Sequence, residues 1–242
     1  MYCLTSRSTT AAILPPIDAT TRSGQFSAHL GEAPTAGLLV HNRAQLDWLD
    51  GILDRHPDLV IENCASGGMR MDHALLSRLQ LQSTSDQQDL LLYPPIAAAA
   101  PTAVTPEQGA VWAYPQSGDT PDEVALTVAN ALLGRIHLSG RITELGPHER
   151  SLVHEAVAVY KSIRADLPRA LPGWPLGLPS WEEPWTALAL HTPTTTYVTA
   201  WRRHGADAAR ELDLPHLLGA DVHTEVLYGP PPPGIRTPPN SP

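Results

Sequence analysis

The stretch from Asp58 to Asp72, DLVIENCASGGMRMD, constrains the chain more than any other. Its first half, Leu59 to Ile61, is an unbroken apolar run rich in β-branched residues, which fits a strand buried on both faces. It empties into a Cys-Ala-Ser-Gly-Gly turn, after which a helical spacing of apolar residues resumes. A buried parallel strand that delivers a functional loop is the expectation. Gly67 and Gly68 let backbone approach a ligand where a Cβ would collide. Asp86, in the Ser83-Thr-Ser-Asp86 motif at the end of the next strand, supplies a carboxylate suited to proton transfer. A small polar substrate is implied.

The chain around this stretch alternates helix and strand. Leu39, Leu46, Leu49 and Leu53 recur at helical intervals until His56-Pro57 stops them. Met71, Leu75 and Leu79 fit a second helix, and 79–85 then alternates like a strand. A proline-started helix is expected within 88–100, a short strand at 102–104, a capped helix from Asp119 and Thr120 through Leu133, a strand from Arg135, and a long helix opened by Pro147. This order over 36–166 is that of βα units around a parallel sheet, with polar residues gathered just after the strands. In an α/β barrel that is the face where active sites are built.

The flanking regions differ in character. Residues 1–35 carry Ser, Thr, Pro and Gly with no sustained period, and are expected to be a divergent, poorly ordered segment. The α/β part covers 36–170. A Pro- and Gly-dense linker opens at Leu171, and 185–191, 196–202, 211–214 and 221–228 read as short strands, so 171–228 is expected to be a small antiparallel β module. The proline-rich stretch 229–242 is expected to be a disordered tail.

Composition excludes several functions. With 16 Lys and Arg against 25 Asp and Glu and a formal charge of −9, the chain lacks the electrostatic footprint of a nucleic-acid binder. It has no apolar run of the ~18–20 residues that span a membrane, and its first residues lack the order of a signal peptide. Two cysteines, Cys3 and Cys64, form no disulfide or zinc framework, and a reducing, cytoplasmic setting is the expectation. His148 and His154 have the wrong spacing for a His-Glu-x-x-His site, so no metal is expected.

At Glu62-Asn-Cys64-Ala-Ser66-Gly67-Gly68 with Arg70 and Asp72, at Thr84-Ser85-Asp86 with Asp89, and at Tyr160-Lys161 with Arg164, the sequence resembles the melibiase-type α-galactosidases, family 36 of the glycoside hydrolases. The resemblance runs from about Leu38 to Tyr228. It implies a (β/α)₈ barrel followed by a β-sandwich, and a retaining enzyme that releases terminal α-linked galactose from small α-galactosides without a metal or organic cofactor. On that resemblance Asp86 is the general acid/base, and Cys64, Gly67 and Gly68 belong to the turn that contacts galactose. The four strands then correspond to the C-terminal half of a TIM-type barrel, with a small antiparallel β-sandwich after it.

A retaining glycosidase also needs a second carboxylate about 5–5.5 Å from the first. The family carries it in a Lys-x-Asp-x-Asn motif upstream of the Cys-bearing strand, and that motif is missing here. Asp18 is the nearest candidate and lacks the flanking Lys and Asn. A second departure is Ser83, where many family members place tryptophan.

Plainer readings stand beside these. Cys64 suits a small buried residue at a strand end, or a thiol nucleophile if a base lies near. Asp86 suits the N-cap of the following helix. Arg70 and Asp72 suit loop orientation, and Trp174, Trp181, Trp185 and Trp201 suit packing. Two functions remain open: a galactosidase-type hydrolase whose chain is a truncated form lacking the nucleophile, and a non-catalytic galactose-binding remnant. The open edges of an incomplete barrel would favour a homo-oligomer in either case.

Overall fold

The computed structural model describes residues 2–5, 12–14, 34–64 and 67–229. Asp18 and the tail from 230 lie outside the described residues, as do Ala65 and Ser66. The chain divides between Ser83 and Thr84 into two compact units.

The first unit contains strands β1 (Tyr2–Thr5) and β2 (Ala12–Leu14), helix α1 (Pro34–Arg55), strand β3 (Val60–Asn63), helix α2 (His73–Leu76) and strand β4 (Leu81–Ser83). β3 and β4 run parallel, with Glu62 opposite Leu81 and Asn63 opposite Gln82. The other side of β3 is taken by β1, which runs antiparallel to it and to β2. Strands of three or four residues are too short to show a period, which is why nothing in 1–35 signals them. The helical spacing of Leu46, Leu49, Ile52 and Leu53 sets one face of α1 against Ile61, Leu75 and Leu79, and both Leu49 and Ile61 are fully buried. Each such side chain contributes roughly 1.5–3 kcal/mol of transfer free energy. Arg78 Nε, 2.7 Å from Asp50 Oδ1, ties the end of the α2 region back to α1.

The second unit contains α3 (Tyr93–Ala99), β5 (Gly109–Ala113), α4 (Pro121–Ala129), β6 (Arg135–Leu138), α5 (Pro147–Ile163), β7 (Leu171–Gly173), β8 (Trp185–His191) and β9 (Thr196–Arg202). β5 and β6 are parallel, and β7, β8 and β9 form a separate antiparallel sheet. Parallel pairs with flanking helices and a separate antiparallel sheet match the expected fold class. α4 starts on a capping box, with Thr120 Oγ1 accepting from Glu123 N–H and the Glu123 carboxylate accepting from Thr120 N–H. The antiparallel sheet shares a core with the α/β part: Leu188, Leu190 and Trp201 are buried together with Tyr93, Ala98, Val111 and Ile163. Trp201 and Trp174 therefore pack, the latter also donating from its indole N–H to the Ala98 carbonyl at 2.7 Å.

Three expectations differ from the structure. The third parallel strand is Gly109–Ala113, not 102–104; Pro101 sits in a 3₁₀ turn there, closed by Ala103 N–H to the Ala100 carbonyl. Residues 211–214 and 221–228 form no strand, having no ladder pairing, while Leu171–Gly173 inside the expected linker pairs with β8. The helix after the glycine turn is only His73–Leu76.

Candidate functional site

The turn after β3 is braced from beneath. In the parallel register Asn63 lies opposite Gln82, and the Asn63 amide donates to Gln82 Oε1 at 2.6 Å and to the Arg70 carbonyl at 2.8 Å. Gln82, fully buried, donates in turn to the Ser83 carbonyl at 2.7 Å. One side chain therefore holds both the neighbouring strand and the far end of the loop that starts at Cys64. Gly67, at φ +75°, occupies the left-handed region that a side chain disfavours. Gly67 is buried and Gly68 half-buried, and the Gly68 carbonyl accepts from Met71 N–H. Cys64 is half-buried and in no disulfide. Asp72 caps α2 by accepting from Ala74 and Leu75 N–H, which gives it the orienting role. Beside the turn, burial pushes the Glu62 carboxyl above the usual range.

Asp86 belongs to the second unit and is exposed. The segment around it holds itself with short-range caps: Gln87 N–H donates to Ser85 Oγ, Asp89 N–H to Gln87 Oε1, and Leu91 and Leu92 N–H to Asp89 Oδ1. Asp89 thus holds the turn ahead of α3, which has no side-chain cap of its own, and the Asp86 carboxylate lies at the surface. Thr84 anchors the near end through its N–H and hydroxyl, both donating to the Ala110 carbonyl.

An aromatic group that the sequence reading passed over lies in the same unit. The Tyr93 hydroxyl accepts from Trp112 N–H at 3.2 Å and lies 3.4 Å from Thr84 Oγ1. Burial raises the Tyr93 phenol, and the charges of Tyr114 and Asp86 push the same way, which puts Asp86 within electrostatic reach of it. Trp112 stacks with Tyr114 at 6.2 Å and meets the edge of His137 at 4.9 Å. His137 is held down to about 4 by burial, and Arg135 adds to the effect, so its imidazole is neutral near pH 7. The signal in the sequence is the continuous apolar run Gly109–Ala113, which resembles the nearby 102–104.

The first unit thus brings Cys64, Gly67 and Gly68 into one braced turn. The second gives Asp86 a surface position beside Tyr93. A carboxylate so placed can give and take a proton; a neutral imidazole and indole can line a polar, ring-shaped ligand. Among the described residues, no three His, Cys, Asp or Glu side chains are grouped to hold a metal ion, and no helix is long and apolar enough to cross a membrane.

No protein-family model matches the chain, and no curated protein matches it. Solved structures do. The galactosidase domain of the α-galactosidase-sucrose kinase AgaSK aligns at TM-score 0.59 and 19% identity, over 69% of this chain and 24% of that one. A variant of the GH36 α-galactosidase AgaA from Geobacillus stearothermophilus, in complex with raffinose, aligns at TM-score 0.58 and 20% identity, over 68% and 24%. The α-galactosidase from Lactobacillus brevis aligns at TM-score 0.59 and 20% identity, over 73% and 24%. The chain has a GH36-like fold, and it spans 24% of the length of these proteins.

Proposed function

We propose that the chain carries part of the active site of a retaining α-galactosidase acting on terminal α-linked galactose. Asp86 protonates the departing glycosidic oxygen and then takes a proton from water, while a second carboxylate attacks the anomeric carbon and forms the glycosyl-enzyme. Cys64, Gly67 and Gly68 line the sugar, the two glycines letting backbone approach it closely. The nucleophile comes from outside the described residues, and Asp18 is the one aspartate of this chain that lies there. The observation that carries the reading is the position of Asp86: exposed after β4 in a GH36-like fold, and relieved of capping by Asp89. A cytoplasmic setting fits a cysteine that is in no disulfide.

A second reading, a galactose-binding remnant without turnover, is favoured by β1. Tyr2–Thr5 runs antiparallel along the side of β3 that a preceding parallel barrel strand would occupy, and the nucleophile is expected on that strand. The deciding experiment is release of an aryl group from an aryl α-galactoside by the purified chain and by Asp86→Ala. Turnover lost in the variant supports the hydrolase. A folded chain that binds galactose without turnover supports the remnant, and one that does neither overturns both.

A further inference from the structure

We infer that Arg203, at the end of β9, is a positioning residue for the segment that bears Asp86. Its half-buried guanidinium donates only to main-chain carbonyls: Nε to Glu183 at 2.9 Å, Nη2 to Glu183 and to Trp181, the latter at 2.8 Å, and Nη1 to Leu91 at 3.2 Å. Its own N–H donates to the Pro184 carbonyl at 2.8 Å. None of these partners is a carboxylate. The loop before β8 holds one side of the planar fork, and this fixes the direction of the remaining N–H toward Leu91.

The need for such an anchor follows from how the Asp86 segment is built. Its near end is tied by Thr84 to the Ala110 carbonyl. Between Ser85 and Leu92 the bonds that its own N–H groups donate are internal, running from Ser85 to Gln87 to Asp89 and on to Leu91 and Leu92. Internal caps give a segment its shape but not its orientation. Orientation comes from the far end, where Tyr93 is buried with its hydroxyl on Trp112 N–H and two carbonyls are held from outside. The Leu90 carbonyl accepts from the buried Asn130 amide at 3.2 Å, and the Leu91 carbonyl accepts from Arg203. Hydrogen bonds from a charged donor are the stronger kind, so Arg203 is the firmer of the two ties. Through it the antiparallel sheet holds the loop of the proton-transfer group. The consequence for turnover rests on the reading of Asp86 as acid/base; the anchoring does not.

Amide hydrogen exchange on the full chain tests the anchoring directly. Arg203→Met should speed exchange across 87–93 by about tenfold or more, while 109–113 and 135–138 keep their rates. Arg203→Lys, which keeps the charge but not the fork, should fall between. Unchanged exchange across 87–93, or equal acceleration in 109–113, overturns the inference. If Arg203→Met does not fold, Arg203→Lys decides by the same local pattern.

Kinetics separates positioning from general loosening. An alkyl α-galactoside needs its leaving oxygen protonated, whereas a dinitrophenyl α-galactoside does not. Misplacing Asp86 should therefore reduce kcat for the alkyl substrate about tenfold more than for the dinitrophenyl one. Equal losses on both overturn the positioning role in turnover. A wild-type chain inactive on both defeats the hydrolase reading, and the exchange result still decides the anchoring.

Discussion

The loop after β3 and the segment after β4 solve the same problem in different ways. The first is braced by its own strands: Asn63 reaches Gln82 and the Arg70 carbonyl from within the sheet. The second is capped internally and then held by distant donors, Asn130 and Arg203. A binding turn gains from rigidity supplied at its root, since its task is to present a fixed surface. The segment of Asp86, the proposed proton-transfer group, stays at the surface and takes its orientation from outside.

The largest effect expected from breaking this contrast is chemical. Asp86→Ala should lower release from an aryl α-galactoside by about 10²–10⁴-fold, measured against an unchanged thermal transition. Cys64→Ser should instead weaken galactose binding while leaving a measurable rate.

The next largest effect is a pH dependence of opposite sign in the two regions. His137 has its folded value depressed to about 4, so the unfolded chain binds more protons between there and about 6.5. Its contribution is present above about 6.5 and is lost as pH falls through 4, amounting to roughly 3 kcal/mol. Glu62 has its folded value raised, so its contribution is present below its ordinary value and is lost as pH rises through the folded one. Urea unfolding across pH should show a shallower acid limb in His137→Gln, and Glu62→Gln should gain most near neutral pH.

Asn63→Ala leaves the buried Gln82 carbonyl oxygen without its partner and should cost about 1–3 kcal/mol by urea unfolding. That loss should loosen 64–72 and spare 87–93 in hydrogen exchange. The smallest effect sharpens the first region alone: Gly67→Ala, at φ +75°, should cost roughly 1–2 kcal/mol and weaken galactose binding.

How much of this was legible in the sequence depended on the range of the interactions involved. α1, β3, the Thr120 capping box, β6 and α5 are written in local pattern, and each appears where apolar spacing or a cap signals it. The glycine turn is legible as a turn, with Gly67 in the left-handed region that glycine permits. Asp89 resolved the capping ambiguity only once the bonds to Leu91 and Leu92 were seen. β5 was missed because Thr102-Ala-Val and Gly109–Ala113 offer similar apolar runs, and the choice between them turns on pairing with β6. Trp112 and His137 followed it out of sight. Arg203 carries no local signal at all, since its partner Leu91 lies far back along the chain.

The hairpin of Tyr2–Thr5 and Ala12–Leu14 has a kinetic meaning. A segment arriving to extend the parallel array beside β3 would have to strip the ladder from Val60–Asn63 before it could form its own. Completion on that side is then strand exchange rather than simple docking. Its rate would level off with the concentration of the incoming chain and climb steeply with temperature, as unfolding rates do.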